Sequence, residues 1–309
     1  MSTTEIRNMA IAVVLLIAAA LLPLTDSGYA ISIGVTIAMY TALATSWALF
    51  SGPTHYISLA TAAFYGLGTL IVGFGIEHVP YPVLLLIAVV AGAAVAALIG
   101  LATLRLSGVY FVIFTLGLAE MIRQLMSWFQ NNIAGSRGLY VLTDLTETHI
   151  YWELLAVVAV VFLVGWWINR SRLGFAMRII GNDEVVASHC GINTAHAKVI
   201  LFMVSGVFAS LVGALLAPRW TYIEPNLAFS PLLSFEVVIM ALLGGTRRLW
   251  GPLVGVIPFT ILLEVIEANY PTQTILVLGL AFLLIVYLIP GGVVGRIEDL
   301  VRKTSKAGR

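Results

Sequence analysis

VLLLIAVVAGAAVAALIGLATL, Val83 to Leu104, decides the fold. Its 22 residues carry no charge. As a helix rising about 1.5 Å per residue they reach roughly 33 Å, enough to cross the ~30 Å hydrocarbon core of a bilayer. The rest of the chain has the same character. Of 309 residues, 60% are hydrophobic and 10% charged, and the mean hydropathy is +1.02. Soluble domains keep roughly a quarter of their residues charged, so this composition excludes one. The expected fold is all-α, a polytopic transmembrane helical bundle. A single cysteine, Cys190, excludes an intramolecular disulfide and a cysteine-rich metal cluster. A net charge of +1, with no basic tract beyond the membrane-flanking loops, gives no indication of nucleic-acid binding.

Apolar runs between charged or turn-forming breaks give about ten spans. Besides Val83–Leu104 they are Met9–Leu24, Ala30–Leu49, Ile57–Phe74, Val109–Met126, Trp152–Ile168, Ala197–Ala217, Leu232–Leu243, Leu253–Ile266 and Ile275–Ile289. The first follows Arg7 and has no small-x-small cleavage site behind it, so it reads as an uncleaved helix. The eighth and ninth runs are short and Pro258 interrupts the ninth, which points to tilted, broken or partly re-entrant helices. Eight or nine spans are the alternatives. With the N-terminus inside, 13 of the 16 arginines and lysines face the cytoplasm, and only Arg123, Arg137 and Arg219 lie outside. The positive-inside rule therefore sets both termini in the cytoplasm. Two long loops result, an external one at Ser127–Tyr151 and a cytoplasmic one at Asn169–His196. Small residues four apart, Gly92/Ala96, Gly206/Ser210, Ala209/Gly213 and Gly251/Gly255, read as close helix packing.

Inside the cytoplasmic loop lies a polar island, GNDEVVASHCGIN, Gly181 to Asn193. Asn182 reads as an N-cap, with Asp183 and Glu184 in the first turn, where the helix dipole favours negative charge. Gly191 is suited to the left-handed conformation that ends a helix, with Ile192 behind it for the capping contact. Helices shorter than roughly 12 residues are marginal in water. Either its own chain or a partner must hold this one.

Acid, then alanine (Ala187), then glycine (Gly191) in a cytoplasmic loop resembles the coupling loop of bacterial ABC importers. Other segments resemble the permeases of branched-chain amino acid importers, and within them the LivM-like branch. These are SLATAAFYGLG (Ser58 to Gly68), RLSGVYFVIFTLGLAEMIR (Arg105 to Arg123) and FMVSGVFASLVGALLA (Phe202 to Ala217). Tyr222-Ile223, Pro225 and LGG…WGP (Leu243 to Pro252) follow in the family's order. The chain departs from that pattern at Ala60-Thr61, at Trp47-Ala48 and across Ile133–Leu139, which leaves the cargo open.

The resemblance implies a single permease domain, residues 1–309, in a prokaryotic inner membrane. It implies coupling to an ATPase through Gly181, Asn182, Asp183, Glu184, Ala187, Gly191, Ile192 and Asn193. It implies separate ABC ATPase subunits carrying ATP and magnesium, a homologous second permease, membrane lipid around the bundle and an extracytoplasmic substrate-binding protein docking on the external loop. The cargo implied is a branched-chain amino acid or a related small amino acid or amide.

Glu120 lies inside a span, where an acid is costly and marks function by default; Arg123, three residues on, offers a structural pair instead. Glu236 has no base near it in sequence and must find a partner across helices, take a proton or face water. Ser58, Thr61, Phe64, Tyr110, Thr115 and Ser205 complete the candidate pathway, and the hydroxyls serve helix packing equally well. The chain has no P-loop, no zinc motif, no nucleophile elbow and no cluster among its five histidines, so no catalytic role or metal site is expected. An ion-gradient carrier of small polar solutes is the alternative; it predicts midplane charges and inverted repeats. Only Glu120 and Glu236 fit.

Overall fold

The computed structural model describes residues 19–25, 27–103, 108–134, 138–246, 248–288 and 292–295. Most of the first candidate span, Met9–Leu24, lies outside the described residues. The helices are α1 (Gly28–Thr54), α2 (Thr61–Gly75), α3 (Tyr81–Thr103), α4 (Val109–Phe129), α5 (Glu147–Arg170), α6 (Arg172–Asn182), α7 (Glu184–His189), α8 (Thr194–Leu216), α9 (Pro225–Ala228), α10 (Pro231–Gly244), α11 (Gly251–Asn269) and α12 (Thr274–Leu288).

Seven helical stretches among the described residues are long and apolar enough to cross a membrane: α1, α3, α4, α5, α8, α9 with α10, and α11. Thr61–Gly75 and Pro271–Ile285 are apolar but shorter. The protein is a multi-pass helical membrane bundle with seven long spans rather than a clear ten. The third run shows one reason. Ile57–Ala60 is apolar enough to be drawn into a span, yet it is not helical and α2 starts only at Thr61.

One further reading changes, and two loops gain detail. Pro258 does not break its span; α11 runs unbroken from Gly251 to Asn269 around it, as membrane helices tolerate an interior proline where neighbouring groups and local adjustment re-satisfy the freed backbone carbonyl. The segment between α5 and α8 is mostly helical, consisting of α6, α7 and three short joints, Ser171, Asp183 and Cys190–Asn193. Between α4 and α5, Leu139–Tyr140 pairs antiparallel with Tyr222–Ile223, a two-residue ladder among the described helices.

α8 is the axis of the bundle, with α1, α2 and α3 packed against it. Its small residues make that approach possible. A Cβ on Gly92 would meet Ser210 Cβ at 2.7 Å, and one on Gly206 would meet Ala96 Cβ at 2.7 Å. Toward α2, a Cβ on Gly213 would lie 2.0 Å from the Tyr65 carbonyl oxygen. At the same crossing Thr69 Oγ1 donates to the Gly213 carbonyl at 3.1 Å, and Ser210 Oγ donates to the Ala88 carbonyl of α3 at 2.9 Å. Lipid gives apolar helices no drive to associate, so close backbone contact and such bonds hold them. An aromatic cluster, Phe50, Phe111, Phe202 and Phe64, fills the space where α1, α2, α4 and α8 meet.

Residues assigned to one membrane side gather at one end of the bundle. Arg219 reaches Glu147 at 3.3 Å and Ser32 Oγ at 2.7 Å, and Tyr81 donates to Glu153 at 3.0 Å. At the other end His55 Nδ1 lies 3.0 Å from the Gly181 carbonyl. Gly213→Ala should weaken the bundle by about 1–3 kcal/mol, seen as a lower thermal midpoint in detergent. Gly117→Ala, with nothing within 4 Å of its added Cβ, should leave that midpoint unchanged.

Candidate functional site

The island forms a capped helix, one residue out of the expected register. α6 continues until the Asp183 N–H bonds to the Ile179 carbonyl at 3.0 Å, so Asn182 is still helical and cannot cap. Asp183 is the extended residue between the helices. Its carboxylate accepts from the Val185 and Val186 N–H groups at 2.8 and 3.1 Å, the geometry of an N-cap. At the far end Gly191 adopts φ +77°. The Gly191 N–H bonds to Ser188 O at 3.0 Å and the Ile192 N–H to Ala187 O at 3.1 Å, the paired bonds of a Schellman cap. Ala187 is fully buried and Ile192 packs on the core. Asn193 caps the next helix, its side chain accepting from the His196 N–H at 3.0 Å.

Glu184, 41% exposed, is bonded to its own chain. It accepts from Lys198 Nζ at 2.5 Å and from the Tyr56 hydroxyl at 3.2 Å, and Lys198 also donates to that hydroxyl at 3.1 Å. Lys198 is only 1% exposed, and its ammonium stands 4.4 Å over the Tyr56 ring. Partial burial alone would raise the Glu184 carboxyl, but the hydrogen bond and charge of Lys198 outweigh it and hold the group below its ordinary range. Gly181 completes the anchor, since a Cβ there would lie 1.9 Å from the Pro53 carbonyl oxygen. With its acid bonded to its own chain, α7 leaves Val185 and Val186 63% and 50% exposed, and Phe175 of α6 is 64% exposed.

Tyr56 belongs to the second feature, the break between α1 and α2. His55 ends α1 at φ +59°, the one described non-glycine residue in the left-handed region. Behind it the non-helical stretch runs inward until Ser58, Leu59 and Ala60 are buried, and its backbone groups bond to side chains of three helices. Trp47 Nε1 donates to Ser58 O at 2.8 Å, and the Leu59 N–H donates to Thr115 Oγ1 at 3.1 Å. Ser234 Oγ donates to Leu59 O at 2.9 Å and accepts from the Ala62 N–H at 2.9 Å.

Of the candidate pathway residues, Ser58, Thr61 and Thr115 gather at this break. Ser58 and Thr115 use their hydroxyls on backbone groups there. Phe64 packs edge-on against Phe202, and the half-buried Ser205 precedes Gly206, whose added Cβ would lie 3.3 Å from the Phe64 ring. Tyr110 stands apart, 74% exposed on the first turn of α4. Glu120 forms a two-pronged ion pair with Arg123, accepts from Gln124 at 3.0 Å, and through Arg123 reaches Asn226. Glu236 is 6% exposed and takes the Tyr40 hydroxyl at 2.5 Å, so its partner is across helices and is not a cation.

Sequence reasoning passed over Tyr40, Ser234 and Tyr56, and used Lys198 only for orientation. Each is a polar tip in or beside an apolar run, which alone requires a buried partner. That signal does not say which partner.

Among the described residues no group of three or more His, Cys, Asp or Glu could hold a metal ion. Comparison with known proteins adds the family. The chain is 28% identical over 169 residues to the high-affinity branched-chain amino acid transport system permease protein LivH of Salmonella typhimurium, covering 54% of this chain and 53% of that protein. For LivH of Escherichia coli it is 30% over 133 residues, 43% and 42% of the two chains. LivM of Escherichia coli is 23% identical over 324 aligned positions, covering 94% of this chain and 75% of that protein. The chain thus spans about half the length of the LivH relatives, and both branches are represented. The family profile described as branched-chain amino acid transport system / permease component matches residues 29–289, and the chain belongs to that family.

Proposed function

We propose that this protein is the membrane-spanning permease subunit of an ABC importer, of the LivM-like branch. It moves branched-chain amino acids, or a related small amino acid or amide, by alternating access. ATP and magnesium bind on separate ATPase subunits; a homologous second permease completes the pore, and an extracytoplasmic binding protein delivers cargo to the outer end. The near-complete alignment with LivM supports the branch. Ten apolar runs in the sequence support ten spans, and on that count the charge distribution supports both termini inside a bacterial inner membrane.

One observation carries the coupling role. α7 is a separately capped helix outside the long apolar stretches, and it presents Val185 and Val186 to its surroundings while its acid faces its own chain. Exposed apolar side chains grouped beyond the membrane mark a contact surface. An ATPase groove receiving the coupling loop is the partner of that chemistry. Glu120 and Arg123 suit the pathway wall, with side chains 42% and 22% exposed on a span that few other helices cover. An ion pair at that depth is excluded from lipid and belongs beside water or protein.

Gly191→Val should strain the left-handed cap by about 1–3 kcal/mol with no clash, since nothing lies within 4 Å of its added Cβ. Affinity purification should then recover folded permease without its ATPase. Gly191→Asn, which tolerates that conformation, should retain it; equal ATPase recovery with Val would reject the coupling role of this cap. Glu120→Gln should lower leucine uptake while changing stability by only about 1 kcal/mol or less, as for a solvated pair. A large fall in the thermal midpoint would instead place Glu120 in a structural interface.

A further inference from the structure

We infer that His55, Tyr56 and Lys198 are positioning residues that deliver a displacement of α7 to the buried break between α1 and α2. The inference rests on the reading of α7 as the ATPase-docked helix and names the route by which docking reaches the bundle centre.

Three contacts join the island to the end of α1. The Gly181 backbone abuts the Pro53 carbonyl, where even a Cβ has no room. The Gly181 carbonyl also lies 3.0 Å from His55 Nδ1. Glu184, Lys198 and Tyr56 close a triangle of bonds between 2.5 and 3.2 Å. A flexible loop would absorb movement, but these contacts are made by the ends of α6 and α7 with the last residues of α1 and the two just beyond it, and Lys198 is fixed by burial on α8, the bundle axis. Left-handed φ at a non-glycine residue is held only where surroundings over-determine it. His55 holds it at the point where α1 meets the island.

From Tyr56 the chain needs only two residues to reach Ser58, whose carbonyl takes the Trp47 indole, and three to reach Leu59, bonded on both sides. Extended chain spans at most about 3.6 Å per residue, so little slack separates the triangle from the break. A shift at Glu184 must either stretch the triangle or move Tyr56. Moving Tyr56 pulls on the backbone whose groups connect α1, α4 and α10. Apolar contacts slide with little direction, whereas these bonds are directional and few, and so respond to small displacements.

Hydrogen exchange of the purified complex with its ATPases, with and without ATP, tests this without knowledge of the cargo. In the wild-type complex ATP should change exchange both at Glu184–His189 and at the Leu59, Ala60 and Ala62 amides. Tyr56→Phe and Lys198→Met should each retain the ATPase and the response of α7. The response at the break should fall about fivefold or more, the lower range of measured allosteric coupling. A merely structural role would alter the level of exchange at the break but leave its ATP dependence. The inference is overturned if the break responds fully in both variants. It is also overturned if the wild-type break is silent while α7 responds, an outcome that needs no variant to fold. If the wild-type permease carries no ATPase at all, the proposed function fails first.

Discussion

A backbone N–H or C=O in hydrocarbon has no water to turn to, and each one left unpaired costs several kcal/mol. Helices meet this demand within themselves. Between His55 and Thr61 this protein does not, and the bonds are supplied by Trp47, Thr115 and Ser234 from α1, α4 and α10. Three spans are thereby fixed to one short segment. The break is tolerated because protein covers it, with Ser58, Leu59 and Ala60 at 4% exposure or less.

The island obeys the same rule in reverse. A short helix on a membrane protein's rim would ordinarily keep its acid in water and its valines inward. Here Glu184, though still 41% exposed, pairs with Lys198, a buried cation that would otherwise stand without a charge partner. Val185 and Val186, the next two residues along α7, are left exposed. Caps at Asp183 and Gly191 satisfy both helix ends, which lets so short a segment hold its shape while one face stays free for contact.

Two acids within the spans reach different solutions. Glu120 keeps its charge company on its own helix, three residues from Arg123, and stays partly exposed. Glu236 is almost wholly enclosed and takes a tyrosine hydroxyl from α1. The first arrangement suits a surface bordering water or a second subunit; the second ties α10 to α1 in the interior.

Composition and run length were enough to establish a multi-pass helical bundle, because the bilayer acts on every residue of a span alike. Local chemistry was equally legible. Gly191 ends the island in the left-handed region, since few residues besides glycine accept it, and the small pairs Gly92/Ala96 and Gly206/Ser210 meet at the α3–α8 crossing. The cap at Asp183 was missed by one residue, because hydropathy does not show where α6 yields its last backbone bond. What only the tertiary structure decided was the pairing of polar groups across the bundle. Leu59 finds Thr115 56 positions away and Ser234 175 away, and Tyr40 finds Glu236 across 196. Periodicity describes one helix at a time. It marks a buried polar group as needing a partner, but the partner is set by how helices far apart in the chain come to lie side by side.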